Sequence, residues 1–336
     1  VIILSLYSAK TFSRNFDWKD SFTLFRRDAV RSPNSAKIQT SVGGDLTKAA
    51  DSNIPALRDS GMIKSFFKDL NSGLTEEQLN VINTLPDSSI RNLLLDSSIA
   101  HLNEAIRIYP THSNAWLLLG NAAYKRFHNV NLQIPVYTSN TRMENLNTFQ
   151  IYERASAYRV GGYYDANFNL GVIYNENNQP VPAKDNLLKA YAVKPEQVEC
   201  RYLLAQVYAK LNMPDSVDYW LHKGEELRKI DAADYYQVGT GFGKVAHNLD
   251  KSIEYLNKAV ALNPKVELYF EDLGVAYGLS GHFDEAIATA QQLIQLNPNY
   301  PAAYMNLSVS YRNKGNKQLA DQYLAKYNEV VAAQKR

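Results

Sequence analysis

The chain has few of the residues that usually mark a catalytic or metal-binding protein. One cysteine, Cys200, stands among 336 residues. A single thiol excludes an internal disulfide and any multi-thiolate metal site, and it leaves the redox compartment open. Charge of neither sign predominates: 36 Lys and Arg face 34 Asp and Glu, for a net charge of +2. A nucleic-acid binder needs a strong basic excess, so that partner class is set aside. The six histidines include no pair at the i, i+4 spacing of a helical zinc site, and none lies near Cys200 in a ligand-like motif. No Gly-x-Ser-x-Gly elbow occurs. The sequence therefore implies neither a cofactor nor a metal. The apolar opening, Val1 to Ser8, is short of the roughly 20 residues that span a bilayer, and it lacks the basic region of a signal peptide. It reads either as the end of an apolar helix belonging to a longer chain or as a short buried element.

What the chain does have is a period. Leu170, Leu204 and Val238 are 34 residues apart, as are Tyr174, Tyr208 and Phe242, and as are Ser252, Ala286 and Ala320. Pro264 and Pro298 close two successive units at the same spacing, while the step from Val238 to Leu273 is 35, one residue longer. A period of 34 is the length of the tetratricopeptide helical hairpin. In one unit Phe270, Leu273, Gly274 and Tyr277 sit at i, i+3, i+4, i+7 on a first helix; Gly281 permits a turn, and Ala286, Ala290 and Leu293 face back from a second helix that Pro298 stops. Small residues at Gly274 and Ala286 are expected to let the two backbones approach closely. A lone hairpin leaves an apolar face open, so the units must stack.

This frame predicts an all-α, right-handed superhelical solenoid of about seven hairpins. It places the end of an apolar helix and a junction at 1–17, a half-repeat cap at 18–33, and five regular repeats over 164–332. Two earlier repeats are interrupted: 34–110 by an insertion near 51–88, and 113–160 by one near 127–143. The second insertion contains Pro135 and many Asn, and reads as a loop before a helix over Glu144–Tyr158. Insertions of this kind border the binding face or are tolerated excursions.

Residues suggesting chemistry have plainer readings. Gly239-Thr240-Gly241-Phe242-Gly243-Lys244 resembles a phosphate loop, but its spacing is short and Val245 stands where Ser or Thr is required. Gly239 and Phe242 fit the frame as packing residues. Asn306-Leu307-Ser308 forms a glycosylation sequon whose centre is a core position. Glu225 and Glu226 read as a solvated helix face.

The inner face of the first helices should carry Phe168, Asn169, Val172, Tyr202, Gln206, Tyr236, Gln237, Val275, Met305, Asn306, Val309 and Arg312. Apolar groups mixed with amides suit a protein or extended peptide: amides bond its backbone, apolar groups its side chains. Asn169, Gln237 and Asn306 share one frame position, weakly resembling the asparagine ladder of the O-GlcNAc transferase repeats, although Leu118, Leu203 and Asp272 break it. The basic clamp for chaperone C-termini is not evident, since Leu117 and Tyr202 stand where Lys is expected.

The stretch Lys10-Thr11-Phe12-Ser13-Arg14-Asn15-Phe16-Asp17-Trp18-Lys19, then Leu24-Phe25-Arg26 and Pro33-Asn34-Ser35-Ala36-Lys37, resembles a junction in the transmembrane and tetratricopeptide repeat-containing protein O-mannosyltransferases. There the last membrane helix enters the repeats; Ser35 departs from that pattern. The resemblance covers about residues 6–46. It implies a polytopic sugar transferase upstream, membrane attachment through the segment preceding or including Val1–Ser8, and repeats on the extracytoplasmic side, periplasmic or lumenal. The family's acidic catalytic residues lie in its membrane part, so no catalytic residue is expected in this chain. The expected function is acceptor recognition. A tethered or free scaffold with no enzyme attached is the alternative.

Overall fold

Capping residues set many of the helix starts. Ser35 opens the first described helix with its side chain accepting from Ile38 N, Asn147 and Gln150 form a reciprocal capping box, and proline sits in the first turn at Pro180 and Pro214. The computed structural model describes residues 32–70 and 75–334. The apolar opening, nearly all of the 18–33 cap and the resembling junction up to Arg31 lie outside the described residues. Among the described residues there are seventeen α-helices and one two-stranded sheet, so the chain is an all-α repeat array. It divides into two units, Val1–Leu170 and Gly171–Arg336.

In the first unit, α1 (Ala36–Asp51) pairs with α5 (Asp87–Ile108). Val42, Leu46, Leu94, Leu95 and Leu102 are fully or almost fully buried. Polar ties run beside them: Ser98 Oγ donates to Gly43 O at 2.7 Å and shares a 2.8 Å bond with Thr47 Oγ1. The first insertion is itself helical, as α2 (Ile54–Asp59), α3 (Met62–Leu70) and α4 (Glu76–Thr84). It builds a small core from Ile54, Ile63, Phe66 and Leu79. Arg58 fastens it to the start of α5, donating to Leu85 O and Asp87 Oδ1, both at 2.8 Å. The next hairpin is α6 (Ser113–Phe127) with α7 (Thr148–Ala157). Trp116 is buried and donates Nε1–H to Pro110 O at 2.6 Å.

The second insertion is not only a loop. Ile134–Tyr137 (β1) and Met143–Leu146 (β2) pair antiparallel, Ile134 opposite Leu146 and Tyr137 opposite Met143. The second helix therefore begins at Thr148 rather than Glu144. Asn103 on α5 explains why so short a ribbon is ordered: its Oδ1 accepts from Tyr137 N at 2.7 Å and its Nδ2 donates to Pro135 O at 3.0 Å. One side chain thus imitates a neighbouring strand, a tertiary contact that local sequence does not encode.

Helix α8 (Tyr164–Glu176) crosses from the first unit into the second. The second unit then runs through α9 (Pro180–Val193), α10 (Val198–Lys210), α11 (Pro214–Glu225), α12 (Ala232–Thr240), α13 (Leu249–Leu262), α14 (Glu267–Leu279), α15 (Phe283–Leu296), α16 (Pro301–Asn313) and α17 (Lys317–Gln334). Successive hairpins share cores. Leu256 of α13 packs with Leu273 and Ala276 of α14; Phe270 of α14 meets Leu293 and Ala303; Ile287 and Ala290 of α15 meet Leu307 of α16.

The 35-residue step has a physical seat. Helix α12 continues as a π-helical turn, Gly241–Val245, closed by Ala246 N donating to Gly241 O at 3.2 Å. A π turn is one residue inserted into an α-helix, which is the insertion the period demands. Gly239 and Phe242 are buried packing residues within this helix, as the frame expects.

The close approach expected at Gly274 is corrected. A Cβ there would meet Asn306 Nδ2 at 3.5 Å and Thr289 Cγ2 at 3.7 Å, ordinary contact distances. Tight positions include Gly120, where a Cβ would stand 2.6 Å from Tyr152 Cε1, and Gly171, 2.5 Å from Leu187 Cγ.

Candidate functional site

Two adjoining clefts open on the first helices of the second unit, among residues of the expected inner face. A cleft of about 250 Å³ lies where the π turn, α13 and α14 meet, floored by Leu249, Leu256, Val275 and Leu279. A second, of about 180 Å³, adjoins it between α14 and α16, lined by Gly278, Asn306, Val309 and Asn313, and it shares Val275 and Leu279 with the first. Val275, Leu279 and Val309 are 40%, 71% and 47% exposed. Large apolar side chains contiguous and half in water mark a surface that something covers.

Polar groups border this apolar strip. Asp272, its side chain 11% exposed, accepts at Oδ2 from both Tyr236 Oη and Lys244 Nζ at 2.7 Å. Tyr236 also stacks on Tyr269 with ring centroids 4.7 Å apart. Burial, joined by the Asp272 carboxylate, holds its hydroxyl well above the usual phenol range, so it remains a donor. Asn306 Nδ2 is buried and without a hydrogen-bond partner on the protein. An orphaned donor of this kind costs free energy until an acceptor reaches it.

The twelve residues of the expected inner face separate into groups. Val275, Asn306 and Val309 line the clefts, and Met305 is half-buried beside Asn306. Gln237 is exposed, and Gln206 and Val172 are half-buried. Arg312 is exposed and 3.7 Å from Asp321. Tyr236 belongs to the site through Asp272 rather than as a free stacking surface.

Tyr202 is a correction: it is only 2% exposed, its hydroxyl donates to Arg228 O, and Gly224 makes room for its ring. Burial pushes that hydroxyl up to about 12, although the Arg228 guanidinium opposes the shift. Asn169, in the first unit, spends its amide internally. It donates to Asn121 Oδ1 at 2.9 Å, which also accepts from Tyr152 Oη at 2.7 Å. Phe168 there stacks on Tyr164. The three-residue amide ladder therefore does not present three equivalent free amides.

Lys244, Leu279 and Asp272 were not among the expected site residues. Lys244 falls within the glycine-rich segment, and Asp272 stands where the amide ladder breaks. The available signal was Leu279, a large aliphatic group at the frame position held by Lys210 and Lys244 in the two preceding units. The Asn306 sequon is occluded, since Ser308 is buried and donates to Ala320 O at 2.8 Å. Among the described residues no group of His, Cys, Asp and Glu is placed to hold a metal ion. No described helix is long and apolar enough to cross a membrane.

A family model agrees with the repeat pattern. Residues 271–329 match the tetratricopeptide repeat family model. Human protein O-mannosyl-transferase TMTC3 is 25% identical over 219 residues, covering 64% of this chain and 22% of that protein. The peroxisomal targeting signal receptor of Saccharomyces cerevisiae is 24% identical over 212 residues, covering 63% of this chain and 33% of the receptor. The chain thus spans about a fifth and a third of these two relatives' lengths. Among solved structures, MamA is 24% identical with a TM-score of 0.40, over 50% of this chain and 91% of that one.

Proposed function

Because the chain is an array of tetratricopeptide repeats, we propose that it is a protein- or peptide-binding scaffold and the extracytoplasmic acceptor-recognition arm of a polytopic membrane glycosyltransferase. The observation that carries the binding role is the open apolar strip Val275–Leu279–Val309, with the unpartnered amide of Asn306 beside it. An extended segment laid along it would give apolar side chains to the clefts. The array does no bond chemistry in this reading. It holds an acceptor near a distant active site, so its contribution is local concentration and orientation. The transferase role is supported by the junction residues Lys10 to Lys37 and by the similarity to the human O-mannosyl-transferase.

Two measurements test the two levels. Val309→Asp should abolish binding of protein partners while leaving the helical content unchanged; retained binding would move the site elsewhere. The reading frame preceding Val1 should encode several apolar spans of about 20 residues with acidic groups in an early loop. A frame without them leaves the alternative, a tethered or free scaffold with no enzyme attached. The similarity to a targeting-signal receptor fits that alternative equally well.

A further inference from the structure

The clefts also carry information about what they would hold. A volume of about 250 Å³ falls below the roughly 300–1,000 Å³ of small-molecule sites. It exceeds the roughly 150 Å³ that admits a benzene ring. One large aliphatic or aromatic side chain fills it, and Leu249, Leu256, Val275 and Leu279 give that side chain an apolar floor.

The charges at the mouth form a pair of unequal exposure. The charged residues that line the two clefts are Lys244 and Asp272. Lys244 is 61% exposed, whereas Asp272 is 11% exposed and its Oδ2 already accepts from Tyr236 and Lys244. An approaching segment therefore meets the ammonium first. An ammonium has three N–H donors, and Asp272 takes one. The π turn accounts for this placement. Lys210, 34 residues earlier in the ordinary frame, turns its Nζ to Asn175 O at 2.7 Å and is half-buried. Lys244, within the π turn, instead reaches across to α14 and stays largely in water.

We propose that the first cleft is a specificity pocket for an extended peptide segment in which a large apolar residue lies next to an acidic one. The apolar side chain enters between Leu256 and Leu279, and the carboxylate takes the free donors of Lys244. This rests on the binding role proposed above and names the class of segment bound.

The test is selection of a displayed random dodecapeptide library on the full chain, followed by affinity measurements on enriched synthetic peptides. Enriched peptides should carry Leu, Ile, Met or Phe within two positions of Asp or Glu. Leu279→Asp, at a largely exposed position, should weaken them by about tenfold or more. Lys244→Gln should weaken them about two- to fivefold, in the range of an exposed ion pair, yet leave their Asn and Gln analogues unchanged. Equal loss for acidic and neutral peptides, or none for either, would overturn the acidic preference. Peptides that bind Leu279→Asp as well as the wild-type chain would overturn the pocket while leaving the scaffold role intact. If the library yields no binder, the proposal and the peptide-binding role fall together.

Discussion

Gly120 and Gly274 provide a sharp test of the packing, because one residue type in first helices of two repeats should respond with opposite sign. A Cβ at Gly120 would stand 2.6, 2.8 and 2.9 Å from Cε1, Cδ1 and Cζ of Tyr152. That ring is 2% exposed and tethered through its hydroxyl to Asn121 Oδ1 at 2.7 Å. The ring must therefore shift or lose its hydrogen bond. Overpacking of this kind costs about 1–3 kcal/mol, and a lost hydrogen bond about 1 kcal/mol. The gain in helix propensity from Gly to Ala returns about 1 kcal/mol. Gly120→Ala should then destabilise the first unit by about 1–3 kcal/mol. At Gly274 the added Cβ meets nothing closer than 3.5 Å, so the propensity gain stands alone and Gly274→Ala should stabilise by about 0.5–1 kcal/mol. Because a chain of two units need not melt in one step, scanning calorimetry should follow each transition separately. One kcal/mol moves a transition by about 2–4 °C at this unit size. A Gly120→Ala chain that melts at or above the wild-type temperature, or a Gly274→Ala chain that loses several degrees, would refute the packing argument.

Two further outcomes follow from Tyr202, which is buried, and His101, which is half-buried. Tyr202→Phe removes the hydroxyl bond to Arg228 O and should cost about 1 kcal/mol of stability with peptide affinity unchanged; an affinity loss without a stability loss would return Tyr202 to the binding site. His101, bonded to Gln39 Oε1 at 2.5 Å, has its pKa lowered by burial, with Glu104 opposing. The folded state then takes up fewer protons than the unfolded one as pH falls below the free-histidine value, about 6.5. Stability should fall from there toward the lowered folded pKa. Melting at pH 7.5, 6.5 and 5.5 should show a steeper decline for the wild type than for His101→Gln; equal slopes would remove His101 as the cause.

Leu170, Leu204 and Val238 at 34-residue spacing already specify stacked helical hairpins, because a repeated apolar face can be buried only against its own neighbours. The same arithmetic located an extra residue between Val238 and Leu273, and the π turn at Gly241–Val245 is its structural form. Val275 and Val309, 34 residues apart, share one frame position, Asn306 lies one helical turn before Val309, and all three line the clefts. Tyr202 and Asn169 were misplaced for one reason: a frame position states which way a side chain leaves its helix, not what waits there. Gly224 leaves a slot that accepts the Tyr202 ring, and Asn121 offers an acceptor to Asn169. The β-ribbon at 134–146 depends in the same way on Asn103. Local sequence and periodicity thus determined the repeat helices, their pairing and the inserted residue, all consequences of short-range geometry. Only tertiary packing decided that Asp272 would draw Lys244 to the mouth of a cleft and that Leu279 would stay uncovered. Those outcomes depend on distances between side chains nearly thirty or more residues apart.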